Sequence, residues 1–212
     1  MSLIVALLGK NCGVVASDSI KVSPHGDISF DFDKTFSLQR PLMIGAHVGL
    51  LEFAGAKIAD HVHEIAAESK LGSMREVADR IALELIKKLN FSEIAFESRR
   101  TELLILSRKT FRSGRYEIRS IDLRPNSNTG VIDYIPGLYH SAGAFAHSGD
   151  DQARVYVKEF LDPIRDKIPA MKMAQLKQIS LDLITYGIER CGKHPRFPDV
   201  PACGGPPCAI AI

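Results

Sequence analysis

Twice along this chain the apolar residues stop alternating, recur at helical spacing for two helices' length, and then alternate again. Residues 3–8 (LIVALL) and 13–17 (GVVAS) are apolar runs separated by GKNC, a turn signal, and they predict a hairpin. In DISFDFDKTFSL, Ile28, Phe30 and Phe32 fall on one face and Asp27, Ser29, Asp31 and Asp33 on the other, as in a half-exposed strand. PLMIGAHVG predicts one more buried strand. From Leu51 the period changes: Phe53, Ile58, Val62 and Ile65 recur near helical spacing, and a capping box, Ser73 to Glu76, opens a second helix over REVADRIALELIKKL. Leu71-Gly72 reads as the stop between the two.

Strands resume with ELLILSR and RYEIRSIDLRP, joined across FRSG, and YHSAGAFA reads as a further small-residue strand or loop. Two helices follow, over about 150–161 and 171–190, the first entered through Ser148-Gly-Asp, and CAIAI closes the chain as a short strand. Strands, two helices, strands, two helices, strand is the order of an α+β fold rather than of a parallel βαβ repeat. With 212 residues, 45% of them apolar, the reading is a single domain over 1–212.

Charge excludes some partners. The 27 basic and 25 acidic residues nearly cancel and no long Lys/Arg run occurs, so neither a nucleic acid nor an anionic membrane surface is expected. The apolar run at 3–9 is too short for a membrane span and has no basic stretch before it, which points to a cytoplasmic chain. Cys12, Cys191, Cys203 and Cys208 form no C-x-x-C pair and read as reduced thiols; Cys203 and Cys208, flanking GGPP, are the pair expected to join on oxidation. His61 and His63 lie two apart on a helix and point to different faces, so they read as a solvated surface and not as metal ligands. His140 and His147 read as structural. There is no phosphate loop, dinucleotide fingerprint or zinc spacing, and neither cofactor nor metal is expected.

Three polar residues stand apart. Ser2, Asp18 in VVASDS and Lys34 in DKTF are spaced sixteen residues apart. This pattern resembles the proteasome β-subunit family of N-terminal nucleophile hydrolases, which includes the HslV peptidase. The resemblance spans most of the chain and implies a four-layer αββα sandwich that cleaves peptide bonds. A serine hydroxyl is a poor nucleophile until a base takes its proton, and a free α-amine, with an ordinary pKa of about 8, is one such base. Lys34 would favour the ionised hydroxyl and Asp18 would orient Lys34. By the same resemblance Gly45 in IGAHVG is the oxyanion donor. Gly143 marks the strand that supports the terminal amine, with Ala144 where the family has serine. Cys203 stands where a serine is usual and Val200 where an Asp is usual, with Asp199 one residue away. Proteolytic members generally use threonine where this chain has Ser2.

The implied partners are a peptide or unfolded-protein substrate, further copies in a homo-oligomeric ring, and an ATPase regulator. Two other readings stand beside the peptidase. One is a structural subunit that has lost turnover, motivated by Ala144, Val200 and Cys203. The other is a small-molecule amidase, which would need a closed pocket where a peptidase needs an open groove.

Overall fold

The computed structural model describes residues 2–23, 26–39, 42–68, 73–108, 115–141, 143–194 and 197–212. The first hairpin is formed by β1 (Leu3–Leu8) and β2 (Gly13–Ser17), antiparallel with Ile4 opposite Ser17 and Leu8 opposite Gly13. Then come β3 (Thr35–Gln39), β4 (Leu42–Gly49), α1 (Ile58–Ala67) and α2 (Met74–Asn90). The second half holds β5 (Thr101–Arg108), β6 (Tyr116–Asn126), β7 (Val131–Tyr139) and β8 (Phe145–Gly149). It ends in α3 (Asp151–Leu161), α4 (Met173–Arg190), β9 (Phe197–Pro201) and β10 (Cys208–Ala211). The molecule is thus a mixed α/β fold with two principal antiparallel sheets, ordered β8-β1-β2-β10 and β7-β6-β5-β4-β3.

Alternation along β1 explains why its whole run is apolar. Leu3, Val5 and Leu7 share a buried cluster with Val157 and Leu161 of α3 and with Leu176, Leu183 and Ile184 of α4. Ile4, Ala6 and Leu8 share another with Ile44, Ala46 and Val48 of β4 and Leu104 and Leu106 of β5. Both faces of the strand are covered, so neither tolerates polar residues. A third cluster sets the other faces of β3 to β6 against Ile58, Val62 and Ile65 of α1 and Val77, Ile81 and Leu85 of α2. The capping box is formed: the Glu76 N–H donates to Ser73 Oγ at 3.3 Å and the Ser73 N–H to Glu76 Oε2 at 3.1 Å.

The predicted strand over 27–38 breaks in two. Ile28–Ser29 forms a short pairing with Lys21–Val22, and β3 begins only at Thr35. Phe32 is buried, but Ile28 and Phe30 are 40% and 48% exposed. Short-range polar bonds override the period-two pattern: Ser29 Oγ bonds to Asp31, and the Asp33 carboxylate accepts the Thr35 N–H at 2.8 Å and the Thr35 hydroxyl at 2.7 Å. The predicted strand in YHSAGAFA also moves, starting only at Phe145. The Leu71-Gly72 stop and the FRSG turn lie outside the described residues. His61 is a second correction to the helix reading. It is buried, stacked on Phe53 with ring centroids 4.1 Å apart, while His63 is exposed.

Candidate active site

Antiparallel pairing of β1 with β2 carries Asp18 past the end of β2 to a place opposite Leu3. The Asp18 N–H donates to the Leu3 carbonyl oxygen at 3.0 Å and the Leu3 N–H returns a bond to Asp18 Oδ1 at 2.9 Å. The second carboxylate oxygen accepts the Gly204 N–H at 3.1 Å. The Asp33 turn delivers Lys34 to the same place from the other sheet, and the Lys34 carbonyl oxygen accepts the His47 N–H at 3.1 Å. Lys34 Nζ donates to Asp18 Oδ1 at 2.7 Å and to Ser2 Oγ at 2.8 Å. Ser2, Asp18 and Lys34 therefore form one contiguous hydrogen-bonded group.

The group is buried. Ser2 is 3% exposed and Asp18 and Lys34 are 0% exposed. Burial penalises the Lys34 ammonium and pushes its pKa down, against the opposing attraction of Asp18. Lys34 thus gives up its proton more readily than a surface lysine while keeping a fixed direction toward Ser2.

Gly45 does not join the group. It sits mid-strand in β4, opposite Phe36 of β3 and Ile105 of β5. Residues 47, 45 and 43 bond to β3 in step, so the Gly45 N–H is committed to that ladder, as the His47 N–H is to Lys34. A side chain at Gly45 would run into the Phe36 ring and lie 2.8 Å from the Leu104 carbonyl oxygen, which makes this a close-packing glycine. Gly143 is also elsewhere. Its N–H donates to the Leu8 carbonyl oxygen, at the far end of β1 from Ser2. Asp199 is exposed on β9, and Val200 beside it is buried.

The strand that flanks Ser2 is β8. Leu3 pairs with Gly149 and Ile4 with Ser148, and the Asp150 N–H donates to the Ser2 carbonyl oxygen at 2.8 Å. Ser148 is buried and its Oγ has no hydrogen-bond partner among the described residues; the same holds for Ser17, across Ile4 on β2. Ser148-Gly-Asp was legible only as a helix entry, and Asp150 does cap α3, accepting the Ala153 N–H at 2.9 Å. Cys203 is buried next to Gly204, and its thiol faces Cys191 while being close enough to Asp18 and Lys34 to feel their charges.

His47 is a buried titratable neighbour. It is fully buried, lies edge-on to Phe32 at 6.5 Å, and neither ring nitrogen has a hydrogen-bond partner among the described residues. Burial, reinforced by the Lys34 charge, lowers its pKa to about 4. Its ordinary value is 6.5, so below that pH the unfolded chain binds a proton that the folded chain refuses. Stability is complete above pH 6.5 and is lost as pH falls toward 4. Between pH 7 and pH 5 this amounts to about 2 kcal/mol at about 1.4 kcal/mol per pH unit. Urea denaturation at the two pH values should show His47→Leu losing that much less than the unsubstituted chain; equal losses would remove His47 as the cause.

A pocket of about 330 Å³ is lined by Asp33, Thr35, Ser37, Lys57, Asp60 and His63, and by none of Ser2, Asp18 and Lys34. Among the described residues no cluster of three or more metal-ligating side chains occurs, and no helix is long and apolar enough to cross a membrane.

No family model and no curated protein matches the chain. Solved structures do. Anbu (ancestral beta-subunit) from Yersinia bercovieri aligns with a TM-score of 0.64 at 14% identity, over 99% of this chain and 81% of that one. An Anbu Gly-1 mutant from Hyphomicrobium sp. strain MC1 aligns with a TM-score of 0.66 at 13% identity, over 100% and 82%. At such identity the likeness is one of fold. It corrects the resemblance read from Ser2, Asp18 and Lys34: the similar structures are ancestral β-subunits, proteasome-like but distinct, and nothing found supports an HslV-like chain.

Proposed function

We propose that this chain is an N-terminal nucleophile hydrolase of peptide amide bonds, with Ser2 as nucleophile. The observation that carries the reading is Lys34 Nζ bridging Ser2 Oγ and Asp18 Oδ1, at 2.8 and 2.7 Å, in a buried group. The hydroxyl proton passes to the free Ser2 α-amine as Oγ attacks the substrate carbonyl carbon, while the Lys34 ammonium, held by Asp18, favours the ionised hydroxyl. The resulting α-ammonium stabilises the tetrahedral oxyanion, then returns the proton to the departing amine. Water hydrolyses the acyl-serine by the reverse route. Removal of Met1 frees the Ser2 amine, and the unpartnered Ser148 hydroxyl on the facing strand is available to hold it.

The finer architecture belongs to the same reading. The three buried clusters, one joining both sheets and one joining each sheet to its own helix pair, support four layers in the order αββα. Homo-oligomeric assembly is supported by β7, an edge strand on which Val131, Ile135, Leu138 and Tyr139 are exposed. Light scattering should find a multimer; a stable monomer would end that part of the reading.

The test is N-terminal sequencing followed by assay against a library of fluorogenic peptides. The reading expects Ser2 as the first residue and measurable hydrolysis. Retained Met1 together with no hydrolysis favours the non-catalytic subunit.

A further inference from the structure

Outside the Ser2 group the structure holds a second pair of reactive side chains in register. Lys193 pairs with Pro201 in the short hairpin that includes β9, and one step along, the Ala202 N–H donates to the Gly192 carbonyl oxygen at 2.9 Å. The next opposed pair on that ladder is Cys191 and Cys203. It continues the alternation as a non-hydrogen-bonded pair, because the Cys203 N–H donates to Cys191 Sγ at 3.2 Å instead of to a backbone oxygen. Cys191 Sγ also donates to the Cys203 carbonyl oxygen at 3.3 Å. Directly opposed residues of this kind have Cα atoms about 4.5 Å apart, at the short end of the range a disulfide spans.

We infer that Cys191 and Cys203 form a reversible disulfide under peroxide and that closing it disturbs the Asp18–Lys34 pair. The two thiols differ in the way such a step requires. Cys191, at the C-cap of α4, is partly exposed, whereas Cys203 is buried. The hydrogen bond from Cys203 draws the Cys191 pKa down to about 7, and the same bond together with burial pushes Cys203 up. Cys191 thiolate attacks a peroxide oxygen, giving its sulfenic acid and releasing hydroxide. The Cys203 sulfur then attacks the sulfenyl sulfur, and its proton leaves with the displaced hydroxide as water. In balance, two thiols and one hydrogen peroxide give one disulfide and two waters.

Coupling to the site runs through one residue. Gly204, next to Cys203, donates the backbone bond that holds Asp18 Oδ2. Drawing Cys203 Sγ toward Cys191 moves the Gly204 N–H off that oxygen and loosens the carboxylate that orients Lys34. The pairing also replaces the Cys203–Cys208 bond that sequence proximity suggests, since Cys208 is exposed on β10. The effect on turnover rests on the hydrolase reading; the cross-link does not.

The test treats the full chain with hydrogen peroxide and maps peptides without reduction. The expected result is one cross-linked peptide joining Cys191 to Cys203, two hydrogens lighter than the reduced pair, removed by dithiothreitol and absent from Cys191→Ser. Amide hydrogen exchange at Gly204 should rise on oxidation. Hydrolysis should fall by about 10²-fold and recover on reduction, with Cys191→Ser unaffected by peroxide. A Cys203–Cys208 cross-link, or Cys191 carried on to sulfinic acid, overturns the inference. So does a cross-link with unchanged Gly204 exchange, as regards the coupling. A cross-link with faster exchange in a chain that hydrolyses nothing when reduced leaves the switch standing and removes the proposed function.

Discussion

Replacing Lys34 by methionine is expected to lower peptide hydrolysis by about 10²–10⁴-fold and folding stability by roughly 3–5 kcal/mol. The activity loss follows from removing the ammonium that Lys34 holds against Ser2 Oγ. The stability loss has a different cause: Asp18 is left as a fully buried carboxylate whose remaining donors are two backbone N–H groups. A double-mutant cycle separates the two effects. Asp18→Asn with Lys34→Met removes the stranded charge, so the pair should cost less stability than the sum of the singles by about 1–3 kcal/mol. Hydrolysis should stay lost in all three. Additive stabilities by urea denaturation would contradict a charged pair, and undiminished hydrolysis in Lys34→Met would contradict its role beside Ser2.

Gly149→Ala is expected to cost at least about 3 kcal/mol and to abolish hydrolysis with it. Gly149 has φ +119°, where side chains are rarely tolerated, and a Cβ there would overlap the Ser2 carbonyl oxygen. Relief requires β8 to part from β1, breaking the bond from Asp150 to that same oxygen and moving the nucleophile. Gly130 supplies the control. Its φ is +70° but nothing lies within 4 Å of an added Cβ, so Gly130→Ala should cost only the backbone strain of about 1–2 kcal/mol and keep activity. Thermal melts and hydrolysis assays on the two variants would show equal losses if strain alone, and not contact with Ser2, made Gly149 necessary.

Local signals and long-range ones were not equally legible. The first hairpin, the Ser73 capping box and the described helices follow from period and capping, because those forces act within a few residues, except that Phe53, read with the first helix, lies in a short strand pair ahead of it and α1 begins only at Ile58. The contacts of Asp18 and Lys34 depend on strands β2 and β3 from different sheets meeting at Ser2, and their sixteen-residue spacing hinted at this without establishing it. Phe30 misled because Asp31 and Asp33 bond within their own turn, and no hydrophobicity pattern registers that. Gly143 differs because a glycine in a small-residue run carries no register of its own; the glycine opposite Leu3 is Gly149. Gly45 is similar, its importance lying in the Phe36 ring against it. The Cys191–Cys203 contact joins the end of α4 to the loop before β10, and only the hairpin between them brings the two together.

The central claim is that Ser2 is an activated nucleophile. Its most direct measurement is intact mass and peptide mapping after incubation with a fluorophosphonate, which loses fluoride to an activated serine. The account predicts a single adduct on Ser2, abolished in Ser2→Ala and strongly slowed in Lys34→Met. Labelling that leaves Ser2 untouched, or that proceeds equally in Lys34→Met, would contradict it.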